Sequence, residues 1–320
     1  PSADMTAKDH FIDRLRFLAI ALVLLPASFA QAAPDEKNPI ANVKIELLDG
    51  KEIRLSQFAG KKYVYLKFWA SYCEECIRQM PHLQKTYSDY HEDVEVIAVN
   101  LGIDDDKKSV SAIKRKFKLT LPIAIDKSGE LAKAVNLIAT PLHVLIDKQG
   151  NVVYKKYVNT DGIDQRLAFI KNGKPIVADK VTVEKQESSI DMGHYKEKPT
   201  ALFFVATWCD WYLATSRPDA SKNCVSSQKI VNRLQSEYPQ INWLGIATRL
   251  WSAESDVADY RKKFSVAFPV AIDASNEITF SYQVKNYPTL IFLKEGKEIY
   301  RSTRIDYAEA KKALAQLVPP

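Results

Sequence analysis

The feature that most constrains the fold of this chain is an internal duplication. Cys76 lies 65 residues before Pro141, and Cys224 lies 64 residues before Pro288. The 21-residue segments that end at these two prolines share seven identities: Pro122/Pro269, Ala124/Ala271, Ile125/Ile272, Asp126/Asp273, Ser128/Ser275, Glu130/Glu277 and Pro141/Pro288. A matching segment at nearly the same distance from a cysteine predicts that one folding unit occurs twice.

Each unit alternates strand and helix patterns. In the first unit we predict apolar or alternating strands at 63–69, 94–100, 143–146 and 152–157, and helices at about 74–90, 107–117 and 162–171. In the second unit we predict strands at 201–206, 241–247, 290–293 and 298–301, and helices at 225–238, 253–264 and 307–317. The alternation predicts an α/β fold with domains at 38–185 and 190–320. The polar stretch between the units contains one further candidate strand, at 177–183.

Composition limits the function classes. The chain of 320 residues is 46% hydrophobic and 26% charged, which is typical of globular domains. Its net charge of +6 is spread along the sequence without a dense Lys/Arg tract, so binding to nucleic acid is not predicted.

The first residues have the pattern of an export signal. Arg14 and Arg16 precede an apolar run at 17–25, and small residues follow at 27–33. This pattern predicts a signal peptide over 1–33, with residues 1–4 as an extra segment before Met5. We therefore expect a periplasmic protein, with an uncleaved membrane anchor as the alternative. Export would place the four cysteines in an oxidising compartment.

The clearest chemical motif is Cys73-Glu74-Glu75-Cys76, directly after a predicted strand and at the start of a predicted helix. Helix N-termini carry free N–H donors and partial positive charge, which stabilise a thiolate. The thiolate is the form that attacks a disulfide. We therefore expect Cys73 to be the nucleophile at the exposed helix end, and Cys76 to be the shielded resolving cysteine. A zinc site is disfavoured because the sequence has no second CxxC.

Residues 68–76, with the sequence FWASYCEEC, resemble the thioredoxin superfamily and, more narrowly, its exported TlpA/ResA-like branch. The resemblance covers about 38–171 and, more weakly, 195–318. It implies two tandem thioredoxin-like folds, each with a central mixed sheet flanked by helices. It also implies a cis-proline at Thr140-Pro141 that faces the dithiol and pairs with client proteins, and a kink in the active-site helix at Pro81.

Two positions depart from the family pattern. Lys67 occupies the place of a buried aspartate six residues before the attacking cysteine, and Gln79 occupies the place of a glutamate three residues after the second. Lys67 is one candidate modulator of the cysteines. The others are Glu74 and Glu75, which could replace the missing proton-transfer carboxylates; a solvated helix start is the favoured reading for both. Their negative charges oppose thiolate formation, which predicts a reductant rather than an oxidant.

The second unit is altered at its cysteines. Residues 204–209 parallel 68–73, but Tyr212 stands where the resolving cysteine is expected. The equal-length segments 76–90 and 224–238 make Cys224 the counterpart of Cys76, so we expect a Cys209–Cys224 disulfide across a turn-like insert. Both a structural and a redox-active disulfide remain open. Tyr287-Pro288 keeps the cis-proline position of the family.

The leading function is an exported thiol–disulfide oxidoreductase that exchanges disulfides with protein clients and needs no cofactor. The resemblance implies a membrane thiol carrier as its electron source. The alternative is a copper-binding chaperone or a client-docking module that does not turn over. His143, two residues beyond Pro141, is the histidine placed to join Cys73 and Cys76 around copper.

Overall fold

A computed structural model describes residues 40–179, 181 and 190–318. The predicted signal peptide over 1–33 lies outside the described residues, as does nearly all of the predicted domain boundary at 185–190. Within the described ranges, no helix has both the length and the apolar character that crossing a membrane requires.

The first half folds around a five-stranded mixed sheet. It begins with a hairpin, β1 (Lys44–Glu46) and β2 (Glu52–Arg54), and a short 3-10 turn. The remaining elements are β3 (Tyr63–Trp69), α1 (Glu74–Arg78), α2 (Met80–Tyr90), β4 (Val94–Asn100), α3 (Lys107–Lys116), β5 (Ile123–Ile125), α4 (Glu130–Ala134), β6 (Leu142–Ile146), β7 (Val152–Tyr157) and α5 (Asp161–Lys171). The strand order is β5-β4-β3-β6-β7. Strands β3, β4 and β5 are parallel to one another, β6 is antiparallel to β3, and β7 is antiparallel to β6.

The second half repeats this topology. Its elements, after α6 (Met192–Lys196), are β8 (Thr200–Val205), α7 (Cys209–Ser216), α8 (Pro218–Glu237), β9 (Asn242–Thr248), α9 (Glu254–Phe264), β10 (Val270–Asp273), α10 (Glu277–Ser281), β11 (Thr289–Lys294), β12 (Lys297–Ser302) and α11 (Tyr307–Leu317). The strand order β10-β9-β8-β11-β12 matches that of the first sheet. Two tandem thioredoxin-like folds are therefore present, as the repeat and the resemblance predict.

Two predicted elements differ in the structure. The helix predicted at 74–90 is broken at Gln79, which separates α1 from α2. Pro81 lies in the first turn of α2, where its missing N–H costs no hydrogen bond within the helix. The insert between Cys209 and Cys224 is not turn-like but helical, because α7 and α8 fill it and only Arg217 interrupts them.

The candidate strand at 177–183 does not form over its described residues. Asp179 instead donates its backbone N–H to the carbonyl of Val153 at 2.9 Å, and its carboxylate pairs with Arg166. The described part of this segment therefore contacts the first fold without forming a strand of its sheet.

Side-chain alternation on β8 divides the second sheet into two environments. Phe203 and Val205 face a cluster formed with α8, α9 and α11. Leu202 and Phe204 face the opposite way, into a buried cluster that is continuous with the core of the first fold. The two folds therefore share one apolar core instead of being joined only by a linker.

Candidate active site

The first disulfide joins Cys73 and Cys76, whose Cα atoms are 5.2 Å apart. Cys73 is the N-cap of α1, and the backbone N–H of Cys76 points to Cys73 Sγ at an N···S distance of 3.2 Å. After reduction, this N–H is placed to donate to a Cys73 thiolate. The thiolate would then take the place of the side-chain oxygen that accepts such a bond at the N-cap of other helices.

The predicted proline lies at the same end of the sheet as Cys73. The Thr140–Pro141 peptide bond is cis, and the next residue, Leu142, pairs with Phe68 at the end of β3 that leads into the CxxC motif. Thr140 is buried. The strand register thus brings the cis-proline loop and the cysteine motif to one edge.

Lys67 lies in β3 beneath this edge and is fully buried. Its ammonium donates to Gln79 Oε1 at 2.7 Å, and Gln79 Nε2 donates to Glu75 Oε1 at 2.8 Å. Burial is the main cause that lowers the pKa of Lys67 to about 7, against the charge of Glu75, which raises it. A residue that titrates near neutrality thus sits behind the active-site helix.

The two acidic residues of the motif are not equivalent. The hydrogen bond from Arg78 is the largest cause that lowers the pKa of Glu75, and the two side chains form an ion pair. Glu74 is exposed. Part of the negative charge that the sequence places between the cysteines is therefore balanced by Arg78 and Lys67.

His143 faces a different environment from the one predicted for a copper ligand. It is fully buried on β6, and its Nδ1 lies 2.7 Å from the hydroxyl of Tyr65. Burial lowers its pKa to about 3, which keeps the imidazole neutral. Over the ranges that the structure describes, no group of three or more His, Cys, Asp or Glu side chains is placed to hold a metal ion.

The second disulfide joins Cys209 to Cys224, with their Cα atoms 6.2 Å apart. Cys209 begins α7, whereas Cys224 is the seventh residue of the long helix α8. The two sulfurs are 4.0 and 3.9 Å from the carbonyl oxygen of Tyr287, whose peptide bond to Pro288 is cis. The cis-proline loop of the second fold therefore contacts its disulfide directly.

The expectation that Cys73 is exposed is wrong, because its exposed fraction is only 2%. The side chain next to it lies against the second fold. Tyr72, the residue before Cys73, stacks on Trp208, the residue before Cys209, with ring centroids 5.8 Å apart. Trp251 closes the same cluster edge-on. The Cys73–Cys76 disulfide thus lies next to the contact between the two folds.

Sequence reasoning missed the polar half of this contact. The Asp105 side chain is fully buried and accepts hydrogen bonds from the backbone N–H of Ser71 at 2.8 Å and from its hydroxyl at 2.5 Å. Arg217, from the break between α7 and α8, pairs with the same carboxylate at 2.9 Å. The acidic run at 104–106 was the available signal, but such runs usually mark a solvated helix start.

The repeated strand order and the CxxC disulfide at a helix start define a thioredoxin-like redox protein. Residues 32–167 match the Redoxin family profile. The chain is 35% identical over 152 residues to the thiol-disulfide oxidoreductase ResA of Bacillus cereus, covering 44% of this chain and 86% of that protein. It is 32% identical over 180 residues to ResA of Halalkalibacterium halodurans, covering 53% of this chain and 99% of that protein.

The chain therefore belongs to the ResA family of thiol–disulfide oxidoreductases. Among solved structures, StoA from Bacillus subtilis is 25% identical, with a TM-score of 0.36, over 40% of this chain and 94% of that one. The Redoxin match ends before the second fold begins at β8.

Proposed function

We propose that this thiol–disulfide oxidoreductase acts outside the cytoplasm and reduces disulfides in protein clients through Cys73 and Cys76. The observation that carries the proposal is the position of the Cys73 sulfur, at the first N–H groups of α1 and at the same sheet edge as Thr140–Pro141. A thiolate at this place is stabilised by the helix start, and the adjoining loop offers backbone groups to an extended client.

The exchange follows from the two sulfurs. The Cys73 thiolate attacks one sulfur of a client disulfide, forms a mixed disulfide and releases the first client thiolate. The Cys76 thiolate then attacks Cys73 Sγ, which releases the second client thiolate and leaves the Cys73–Cys76 disulfide. The client gains two electrons, and both released thiolates take up protons. A dithiol donor must return two electrons and two protons to complete the cycle.

Three further parts of the proposal rest on the sequence. The pattern at 14–33 supports export, and the resemblance to exported relatives supports a membrane thiol carrier as the donor. The exposed Glu74 and its neighbour Glu75 support the reducing direction, because negative charge near the sulfurs destabilises the thiolate form. The neutralising contacts of Glu75 with Arg78 make Glu74 the larger contributor.

The activity is tested with insulin as a disulfide client and dithiothreitol as the electron donor. We expect the full chain to accelerate insulin reduction and Cys73→Ser to reduce the rate to that of dithiothreitol alone. The matched control is the double variant Cys209→Ser/Cys224→Ser, which should keep the rate. Unchanged activity in Cys73→Ser would move the chemistry away from the first fold.

The direction is tested by equilibrating the chain with glutathione and quantifying the Cys73–Cys76 peptide in each redox state. We expect a potential closer to about −270 mV, typical of thioredoxin, than to about −120 mV, typical of a strong oxidant. A potential above about −180 mV would contradict the reducing direction.

A further inference from the structure

The two folds meet through equivalent surfaces in a pseudo-twofold arrangement. The backbone N–H of Asp104 donates to the carbonyl of Lys285 at 2.7 Å, and the backbone N–H of Trp251 donates to the carbonyl of Ile138 at 2.8 Å. Asp104 and Trp251 each lie 37 residues before the cis-proline of their own fold, and Lys285 and Ile138 each lie three residues before theirs. Each fold therefore offers the same loop to the same carbonyl of the other.

The stacked aromatic pair has the same symmetry. Tyr72 and Trp208 occupy the equivalent position before the first cysteine of each fold, and both are nearly inaccessible, at 3% and 2% exposed. Each of the donating residues, Asp104 and Trp251, has a positive φ, of 50° and 52°. Non-glycine residues adopt this conformation uncommonly, so the two loops share an unusual backbone geometry.

One partly buried ion pair links the two folds: the Arg217 side chain is 25% exposed and that of Asp105 is fully buried. Arg217 donates to Asp105 Oδ1 at 2.9 Å, to the carbonyl of Asp104 at 2.5 Å and to Ser71 Oγ at 2.5 Å, and its guanidinium lies 4.8 Å from the ring centroid of Tyr72. Asp105 keeps hydrogen bonds from the first fold itself, from Asn100, Ser109 and Ser71. Removing Arg217 therefore leaves the Asp105 carboxylate partnered.

We propose that the face of the first fold that carries Thr140–Pro141 is a binding surface for a thioredoxin-like fold. The second fold occupies this surface within the same chain, and a client must displace the second fold to reach Cys73. The inference rests on the proposed function in taking this face as the one that clients use. The backbone carbonyl of Ile138 on this face is bonded to Trp251 of the second fold. Cys73 is only 2% exposed, and its neighbour Tyr72 stacks on Trp208 of the second fold.

The acidic loop adds a polar component to the same contact. Asp104 Oδ1 accepts from Asn286 Nδ2 at 3.1 Å and from the backbone N–H of Tyr287 at 3.3 Å. Burial raises the pKa of Asp104 to about 6, against the hydrogen bonds and the charge of Arg217, which lower it. The ionisable groups that face this carboxyl are Arg217, Asp105, Tyr72 and Tyr287. These contacts are made only while the folds are closed.

The first test measures access to Cys73 in the reduced full chain. Iodoacetamide alkylation of Cys73, followed by peptide mass mapping, should be slow in the unmodified chain and about tenfold faster in Arg217→Ala. The matched control is Arg233→Ala, which removes an arginine that pairs with Glu237 on the surface of α8 and should leave the rate unchanged. Equal alkylation rates in all three proteins would overturn the proposal.

A second test needs no variant and reads the closed contact directly. Amide hydrogen exchange of the unmodified chain should give the same protection for the N–H groups of Asp104 and Trp251, because one opening event exposes both. The N–H of Leu101, bonded to Trp69 within the first fold at 3.1 Å, should be more strongly protected. Different protection of Asp104 and Trp251, with one as labile as an unfolded chain, would also overturn the proposal.

Failure of the function and failure of this inference are distinguishable. If insulin reduction does not depend on Cys73 while Arg217→Ala still accelerates alkylation, the proposed function fails and the covered surface stands. If insulin reduction depends on Cys73 but Arg217→Ala changes neither turnover nor alkylation, the covered surface is wrong and the proposed function stands.

Discussion

Replacing Lys67 by methionine should stabilise the chain near neutral pH and abolish a pH dependence of its stability. The side chain is fully buried, and its pKa falls from 10.5 to about 7, mainly because burial disfavours the charged form. At ~1.4 kcal/mol per pKa unit, this shift corresponds to roughly 5 kcal/mol of native-state destabilisation when the amine is charged. Losing the hydrogen bond to Gln79 costs about 1–3 kcal/mol, so the net gain at pH 6 is about 2–4 kcal/mol.

The sign of the pH effect follows from proton binding. Between pH 7 and pH 10.5 the unfolded chain keeps the proton on Lys67 while the native chain releases it. Stability rises with pH wherever the unfolded state binds more protons, so the unmodified chain gains stability over this window. Lys67→Met lacks the group and lacks this gain. The two stability curves should therefore cross between pH 7 and pH 10.5.

Urea unfolding at pH 6 and pH 10, followed by circular dichroism, measures the difference between the two proteins. Lys61→Met is the matched control, because Lys61 is exposed in the same fold and its removal should shift neither curve appreciably. Parallel curves for the unmodified chain and Lys67→Met from pH 6 to pH 10 would refute the reasoning about burial.

Three further outcomes are expected. Glu74→Gln/Glu75→Gln should raise the reduction potential of the first disulfide by about 20 mV in glutathione equilibration, which corresponds to a surface charge effect of about 1 kcal/mol. No rise would show that these charges do not set the reduction potential. Cys209→Ala/Cys224→Ala should lower the free energy of unfolding, measured with urea, by roughly 3 kcal/mol, as expected for a disulfide that closes a loop of about 15 residues. The variant should still reduce insulin. Loss of insulin reduction in a folded variant would instead indicate a redox role for this disulfide. In the unmodified chain the contact between the folds should weaken as pH rises from about 4 to 6, because the closed state holds the Asp104 proton more strongly than the open state, and Asp104→Asn should remove this weakening. Hydrogen exchange of the Trp251 amide, corrected for intrinsic rates, measures the contact. An unchanged pH slope in the variant would assign the effect to another group.

The repeat made the two sheets predictable from the sequence, because a duplicated strand–helix pattern constrains both halves at once. Short elements were missed. Strand β5 has only three residues, Ile123–Ile125, and owes its conformation to parallel pairing with β4. The same applies to the hairpin of β1 and β2, whose three-residue strands carry too little periodicity to be recognised. Strand β5 depends on a partner that is distant in sequence, whereas the hairpin strands were missed because they are short.

The candidate site was predictable in its cysteines and prolines but not in its surroundings. The spacing placed Cys73 at a helix start, and that start is where the structure has it. Its burial was not predicted, because Trp208 and Trp251, which pack against the adjacent Tyr72, come from a fold more than a hundred residues away. The helical insert was missed for a related reason: Pro218 in a polar segment is typical of a turn, yet proline is also favoured in the first turn of a helix.

The central claim, that Cys73 is the sulfur that exchanges with clients, is tested most directly by trapping the intermediate. The variant Cys76→Ser, reduced and then mixed with oxidised insulin, should accumulate a covalent complex because the resolving thiol is absent. Peptide mass mapping of that complex should find the client cysteine bonded to Cys73. A client bonded to Cys209 or Cys224, with Cys73 unmodified, would contradict the account.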